Sequence, residues 1–250
     1  MASGLEQFVG NHYALRMKQT LSRAPRVLAA GDAALTIEFG STIDPASNAR
    51  VVACARVVEG LSIPGVVEIV PTYRSLTVYF DPIAIDSAWL AERLEALARS
   101  VPADALRSSR TVEIPVLYGG EYGPDLPDVA AFAKRRIEDV IALHGSVTYR
   151  VYMLGFSPGF PYMGQVPDEI AMPRLGSPRM RVPAGSVGIA GSQTGIYPIE
   201  SPGGWRLIGR TPLRLYDPNR PTPFLLKPED CVRLVAIDRQ EYDRLSQENG

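Results

Sequence analysis

Two cysteines and two histidines in 250 residues leave little from which to build a disulfide framework or a metal centre. Cys54 and Cys231 lie far apart in apolar surroundings and read as reduced core thiols. They and His12 and His144 show no ligand spacing, and no carboxylate cluster accompanies them, so no metal is expected. An excess of one charge is also missing. The chain has 26 basic and 27 acidic side chains, and 11 of each fall within the first 110 residues. Nucleic acids and anionic membranes select a basic excess, so neither is expected as a partner. No apolar run approaches the ~20 residues that span a bilayer. The opening MASGLEQFVGNHYALRMKQT has no apolar signal-peptide core, so the expected compartment is the cytoplasm. Phosphate cradles are absent too, with neither G-x-x-x-x-G-K-[ST] nor a strand-to-helix G-x-G-x-x-G. If ATP is used, this chain does not visibly hold it.

What the chain does have is punctuation. Residues 153–220 carry 11 of the 22 glycines and 10 of the 22 prolines. Glycine supplies positive φ and close backbone approach, while proline locks φ and removes a donor. Long helices are therefore excluded here. Phe156, Phe160, Tyr162, Val187, Ile189, Ile196, Tyr197, Trp205 and Ile208 run through the same stretch, which gives it a burial capacity that disordered Pro/Gly tracts lack. Short strands joined by tight turns are expected, forming a barrel whose loops build a cleft.

Before this region the chain divides into an extension over 1–26, a small α/β domain over 27–107 and a second domain over 108–250. In the first domain Leu35, Ile37 and Phe39 alternate with polar residues, the period of a half-buried strand. Asp44-Pro45 opens a helix that ends at Gly60. Strands follow over 66–70 and at Leu76, Val78 and Phe80. Asp86 or Ser87 then caps a helix with Leu90, Leu94 and Leu97 on one face. The β-α-β-β-α order describes an α+β two-layer sandwich with both helices on one face of an antiparallel sheet. Glu38, Glu68 and Arg74 read as solvated strand faces. Residues 101–110 read as the linker.

In the second domain the spacing predicts a strand broken at Pro115, then a single helical stretch. That stretch starts at Asp125 or Asp128, carries Val129, Phe132, Ala133, Ile137, Val140 and Ile141, and has Gly145 at its C-cap. His144 falls in its last turn, where the helix dipole favours a cation. Strands over 147–153 and 231–237 follow, then a short charged helix.

Gly155-Phe156-Ser157-Pro158-Gly159 matches G-x-S-x-G, but not its function. The elbow needs a helix immediately after the serine and an N–H on the next residue, and Pro158 supplies neither. The remaining candidates are polar residues set among rigid loops. Arg179, Gln193, Thr194, Tyr197, Ser201 and Arg210 are the candidate substrate-binding residues. Arginine can grip a carboxylate with two parallel bonds, and amides or hydroxyls can fix a lactam. A solvated-surface role for the arginines stays open. Gly155, Pro158, Gly159, Pro183, Gly185, Gly203, Gly204 and Trp205 form the structural frame of those loops. Gly204→Val is expected to damage folding if Gly204 needs positive φ. Arg179→Ala or Gln193→Ala is expected to impair activity with the fold intact.

The runs LGFSPGFPYMG, PRLGSPRMRVPAGSVGIAG and QTGIYPIESPGGWRLIGRTPL resemble the second domain of the family of 5-oxoprolinase B subunits. That family includes the sporulation-kinase inhibitor KipI and has carried the name allophanate hydrolase subunit 1. The same module occurs in the carboxyltransferase part of urea carboxylase. The resemblance covers about residues 28–245. It implies a small α/β domain followed by a cyclophilin-like β-barrel. It also implies a non-autonomous hydrolase subunit that pairs with the C subunit of 5-oxoprolinase and works with the A subunit. Together these open 5-oxo-L-proline to L-glutamate at the expense of ATP. The resemblance designates no catalytic residue. The alternatives it carries are a KipI-like inhibitor of a sensor histidine kinase and a component of a biotin-dependent urea carboxylase or an allophanate hydrolase.

Overall fold

The computed structural model describes residues 24–102 and 110–248, and the chain divides into two compact units, Met1–Ser108 and Ser109–Gly250. Most of the expected extension and linker therefore lies outside the described residues. The first unit has the order β1 (Arg26–Ala29), β2 (Ala34–Glu38), α1 (Pro45–Leu61), β3 (Val66–Pro71), β4 (Ser75–Phe80) and α2 (Ser87–Ser100). Its sheet runs β1-β2-β4-β3 and is antiparallel throughout. Leu35, Ile37, Leu76, Val78 and Phe80 face one core with Val51, Cys54 and Val58 of α1 and Leu90, Leu94 and Ala98 of α2. The helix starts are set by the residues read from the sequence. Asp44 accepts the Ser47 N–H at 2.9 Å, and Asp86 accepts the Trp89 N–H at 2.7 Å. Such caps contribute about 1 kcal/mol, whereas each fully buried Leu of α2 contributes roughly 2 kcal/mol. Packing dominates.

Two details differ from the expectation. β1 escaped it because its four residues pair on one side only and three of them are exposed, leaving no alternation to see. α1 runs one residue past Gly60, to Leu61, and Ser62 takes the left-handed stop at φ 45°.

The second unit opens with β5 (Thr111–Tyr118), α3 (Leu126–Ala133), α4 (Ile137–Gly145), β6 (Thr148–Leu154) and β7 (Pro161–Gly164). It continues through β8 (Arg179–Val182), β9 (Ser186–Ala190), β10 (Gln193–Ile196), β11 (Ser201–Gly203), β12 (Arg206–Arg210), β13 (Cys231–Ala236) and α5 (Arg239–Glu248). Seven of these strands close into a barrel in the order β10-β7-β6-β13-β5-β12-β9, the barrel expected from the sequence. A separate ribbon pairs β8 with β11. Ile114, Val116, Tyr149, Val151, Val187, Ile189, Ile196, Ile208 and Val232 fill one core, to which α3 and α4 add Leu126, Val129 and Val140. Among the described residues no helix is long and apolar enough to cross a membrane.

β5 is not broken at Pro115. Arg110 and Val116 accept hydrogen bonds from Cys231 and Ile237, so even-numbered residues turn their backbone groups toward β13 and odd-numbered ones turn away. On that other side β12 pairs only at Leu117 and Tyr118, so Pro115 needs no ladder donor. The single helix expected after Asp125 is in fact two. Lys134 adopts φ 52°, and α4 restarts at Ile137 behind its N-cap Arg136, whose backbone and guanidinium both donate to Asp139. Phe132 and Ile137 flank the break and stay 49% and 39% exposed, so one straight stripe would not have buried them.

Candidate functional site

The glycine- and proline-rich region builds an aromatic layer outside the barrel wall. Phe160 lies 4.9 Å from Tyr162, 5.1 Å from Tyr197 and 5.3 Å from Trp205 by ring centroids, each pair edge-on. Such pairs contribute about 0.5–1.5 kcal/mol each beyond area burial. Val182 and Leu207 complete the cluster, and the layer fits because the strands beneath it lack side chains. A Cβ on Gly195 would stand 2.8 Å from the Phe160 ring, one on Gly188 3.0 Å from Trp205, and one on Gly203 would overlap the Tyr197 phenol. Gly204 differs from the expectation. It has no positive φ, and a Cβ there would stand no nearer than 3.8 Å to Leu175 and Pro178, an ordinary contact that needs nothing to move. Gly203→Ala should therefore lower unfolding free energy by about 2–3 kcal/mol, while Gly204→Ala should change it by less than about 0.5 kcal/mol. Urea denaturation of both variants reads the difference, and equal effects would contradict the packing described.

The Gly155–Gly159 segment is the β6–β7 hairpin, and no helix follows Ser157. Phe156 sits at φ 64° with its side chain 64% exposed and its ring 5.7 Å from Phe160. Positive φ on a bulky residue costs roughly 1–3 kcal/mol, which the ring contacts offset. Gly159 takes φ 82° under Tyr216 and Phe224. The Ser157 Oγ is buried without a partner, and His144, the imidazole among the described residues, has both ring nitrogens engaged elsewhere.

The candidate residues fall in three places. Arg179, Tyr197 and Ser201 belong to the ribbon and the aromatic layer. Arg179 Nη2 donates to Asp125 Oδ1 at 2.6 Å, and Asp125 Oδ2 also accepts the Leu207 N–H at 2.7 Å. The Tyr197 phenol is pushed up chiefly by burial, against a bond from the Trp205 backbone. The Ser201 Oγ is buried without a partner. Pro183 and Gly185, at φ 80°, turn the chain from ribbon to barrel, and the Gly185 N–H donates to the Tyr197 carbonyl. Gln193 opens β10 half-buried, opposite Gly164 and Ala190, while Thr194 is fully buried. Arg210 ends β12 with its guanidinium 5.0 Å from the Tyr122 ring, bonded to Tyr242. Asp125 is the participant that spacing did not flag. It read as a helix start, and nothing local ties it to Arg179, 54 positions away. A shallow hollow of about 420 Å³ opens instead in the first unit between α1 and β3, lined by Val58, Ile63, Val66 and Ile69 with Glu59 and Glu68.

Thr194 belongs to a buried chain of hydrogen bonds. Its hydroxyl donates to the Gly188 carbonyl at 3.0 Å and lies 3.0 Å from His144 Nε2. Because the Thr194 proton is committed to that carbonyl, Nε2 must carry the imidazole proton. Nδ1 then accepts the Tyr118 O–H at 2.9 Å. Tyr149 donates to the His144 carbonyl at 2.8 Å. His144 is fully buried, and burial holds its pKa down at about 3. The expected cation at the end of α4 is thus a neutral ring, because the helix end points into the barrel core and not into water. Burial raises the Tyr118 and Tyr149 phenols as well.

The described helix ends are poorly suited to a phosphate. Among the described residues every α-helix carries an acid at its amino end. Asp44, Asp86 and Asp125 precede α1, α2 and α3, Asp139 lies in the first turn of α4, and Asp238 caps α5 by accepting the Glu241 N–H. A phosphate would meet a carboxylate at each. Arg179, Arg181 and Arg206 are matched to Asp125, Glu200 and Asp128. Neither these helix ends nor these three arginines are free to take a triphosphate. Among the described residues no group of three or more His, Cys, Asp or Glu side chains is placed to hold a metal ion.

A two-layer α/β unit joined to a closed seven-stranded barrel is the architecture of carboxyltransferase-type modules. The carboxyltransferase domain, subdomain C and D, matches residues 25–226. The B subunit of the Bacillus subtilis 5-oxoprolinase is 44% identical over 230 residues, covering 88% of this chain and 96% of that protein. The chain therefore belongs to the carboxyltransferase-domain family, in the branch of the 5-oxoprolinase B subunits. The crystal structure of TTHA0988 is 41% identical with a TM-score of 0.73 over 82% of this chain, which spans only 40% of that longer one. The Kluyveromyces lactis urea carboxylase, at 21% identity, TM-score 0.73 and coverage of 90% of this chain and 23% of its own, shares the fold alone.

Proposed function

We propose that this chain is the B subunit of an ATP-dependent 5-oxoprolinase that opens 5-oxo-L-proline to L-glutamate together with the A and C subunits. The observation that carries the reading is 44% identity across 96% of a 5-oxoprolinase B subunit. A lactam carbonyl is a poor electrophile, and phosphorylating its oxygen makes a leaving group that water can displace. That step needs a nucleotide site. The described helices are capped by acids and do not offer one, so in this reading a partner holds the ATP. This polypeptide supplies a wall of the substrate or intermediate cleft, with the half-exposed Gln193 amide suited to a lactam and the aromatic layer holding the loops rigid.

Mixing this chain with the A and C subunits should give 5-oxoproline-dependent ATP hydrolysis and glutamate, while this chain alone gives neither. Gln193→Ala should reduce turnover of the mixture at least about tenfold with unchanged thermal stability, on the scale of one lost transition-state hydrogen bond. An inactive mixture, or turnover by the isolated chain, overturns the assignment.

A further inference from the structure

Arg50 carries a charge that its surroundings do not answer. It lies on α1, in the run Ala46–Arg50 that is buried on every side, and is itself 8% exposed. Its Nε is buried without an acceptor. Among the described residues no carboxylate lies within ion-pair distance of its guanidinium. By contrast Arg150, Arg179 and Arg206, also largely withdrawn from water, each meet one: Glu229, Asp125 and Asp128. The Phe39 ring lies 5.1 Å from the guanidinium carbon, and its face attracts a cation but offers no acceptor to the buried Nε–H. Cys54 supplies no counter-charge, because burial pushes its thiol up to about 11 and keeps it protonated. Burial without a partner lowers the Arg50 pKa itself.

The surroundings add positive charge and polar groups. Arg74 Nη1 donates to the Gly40 carbonyl at 2.8 Å, while the Phe39 N–H donates to the Arg74 carbonyl at 2.9 Å. A second guanidinium thus reaches the segment that Arg50 stacks on. The carboxylate nearest Arg74 is Glu38 at 3.8 Å, and Arg26 holds it more closely at 2.7 Å. Asp44 is committed to the Ser47 N–H, and Asn48 Nδ2 donates to the Thr72 carbonyl at 3.1 Å.

A buried ion without a partner is costly, and natural proteins keep one where an ion or ligand completes it. We propose that the corner formed by Arg50, Phe39 and Arg74 binds a small oxyanion, a carboxylate or a phosphate, with the Arg50 fork as its principal donor. The planar fork matches either group with two parallel bonds. This site lies in the first unit and does not depend on the 5-oxoprolinase reading.

The test uses the full chain alone, with inorganic phosphate in one arm, sodium 5-oxoprolinate in another and chloride balancing ionic strength. In at least one arm the Tm should rise saturably, by roughly 5 °C at a hundredfold excess over Kd. The arm that responds names the source. Arg50→Met keeps the stem and removes the charge, so it should fold, hold its own Tm at or above the wild-type value without anion, and show a shift below about 1 °C with either probe. Equal shifts in both proteins, or no shift of the wild type in either arm, overturns the proposal. So does an Arg50→Met protein that is less stable without anion, since the charge would then be satisfied from within.

Discussion

Between pH 6 and pH 4 this protein is expected to lose stability through one buried imidazole, and His144→Gln is expected to remove that part of the loss. In the folded chain His144 has a pKa held down at about 3 by burial, against 6.5 for the ordinary side chain. Below pH 6.5 the unfolded chain takes up a proton at this residue that the folded chain refuses. Stability is therefore fully present above about pH 6.5 and falls as pH drops toward 3. The slope is about 1.4 kcal/mol per pH unit, and the full loss is on the order of 4–5 kcal/mol. Glutamine can still accept from Tyr118 and donate to Thr194, so the variant should fold, at a cost near 1–2 kcal/mol at pH 7 for imperfect bonds. Denaturant titrations of both proteins at pH 7, 6, 5 and 4 separate this residue from the carboxylates, which titrate in both. Parallel pH profiles would mean that the imidazole takes its proton inside the barrel and that the proton order derived from Thr194 is wrong.

His144 also shows where reading from sequence stops. Its position in the last turn of a helix was legible, as were Asp44 and Asp86 as caps and the alternation of Leu35 and Ile37, because each of these signals is local. Helix-end electrostatics assume water beyond the helix. In the barrel the end of α4 meets Tyr118 and Thr194, 26 residues before and 50 after His144, and burial reverses the sign of the effect. Pro115 likewise looked like a strand breaker because a proline costs a ladder bond only where a neighbouring strand asks for one. The sequence could not say that β12 stops short of it. Gly203 and Gly204 are adjacent and identical in type, yet only Gly203 lies under a tyrosine. The candidate residues scatter for the same reason. Being set among glycines and prolines fixes a residue's backbone but leaves its distant partner unspecified.

Arg179→Ala is expected to destabilise the barrel unit by about 3 kcal/mol, in place of the silent effect on folding that its loop position suggests. Arg179 tethers the β8–β11 ribbon to Asp125, whose side chain is only 7% exposed, at 2.6 Å. Asp125 also receives the Leu207 N–H, and its own N–H donates to the Leu207 carbonyl at 2.9 Å, so this one residue joins α3, β12 and the ribbon. Truncating the arginine leaves a buried carboxylate with one donor, and removing one member of a buried pair costs about 3–5 kcal/mol. The lower figure applies because the Arg179 side chain keeps 30% of its exposure and water can partly replace it. Asp125→Ala should cost as much or more, since the Leu207 N–H loses its acceptor too. The double variant should lose less than the sum, with a coupling of at least about 1 kcal/mol. Arg179→Lys should recover only part of the loss, because a point charge cannot replace the fork. Urea denaturation of the four variants reads each term. If Arg179→Ala keeps wild-type stability while the reconstituted complex loses turnover, the guanidinium is free to grip substrate and the tether is incidental. If stability and turnover fall together and the Lys variant restores both in part, the arginine acts by holding the ribbon in place.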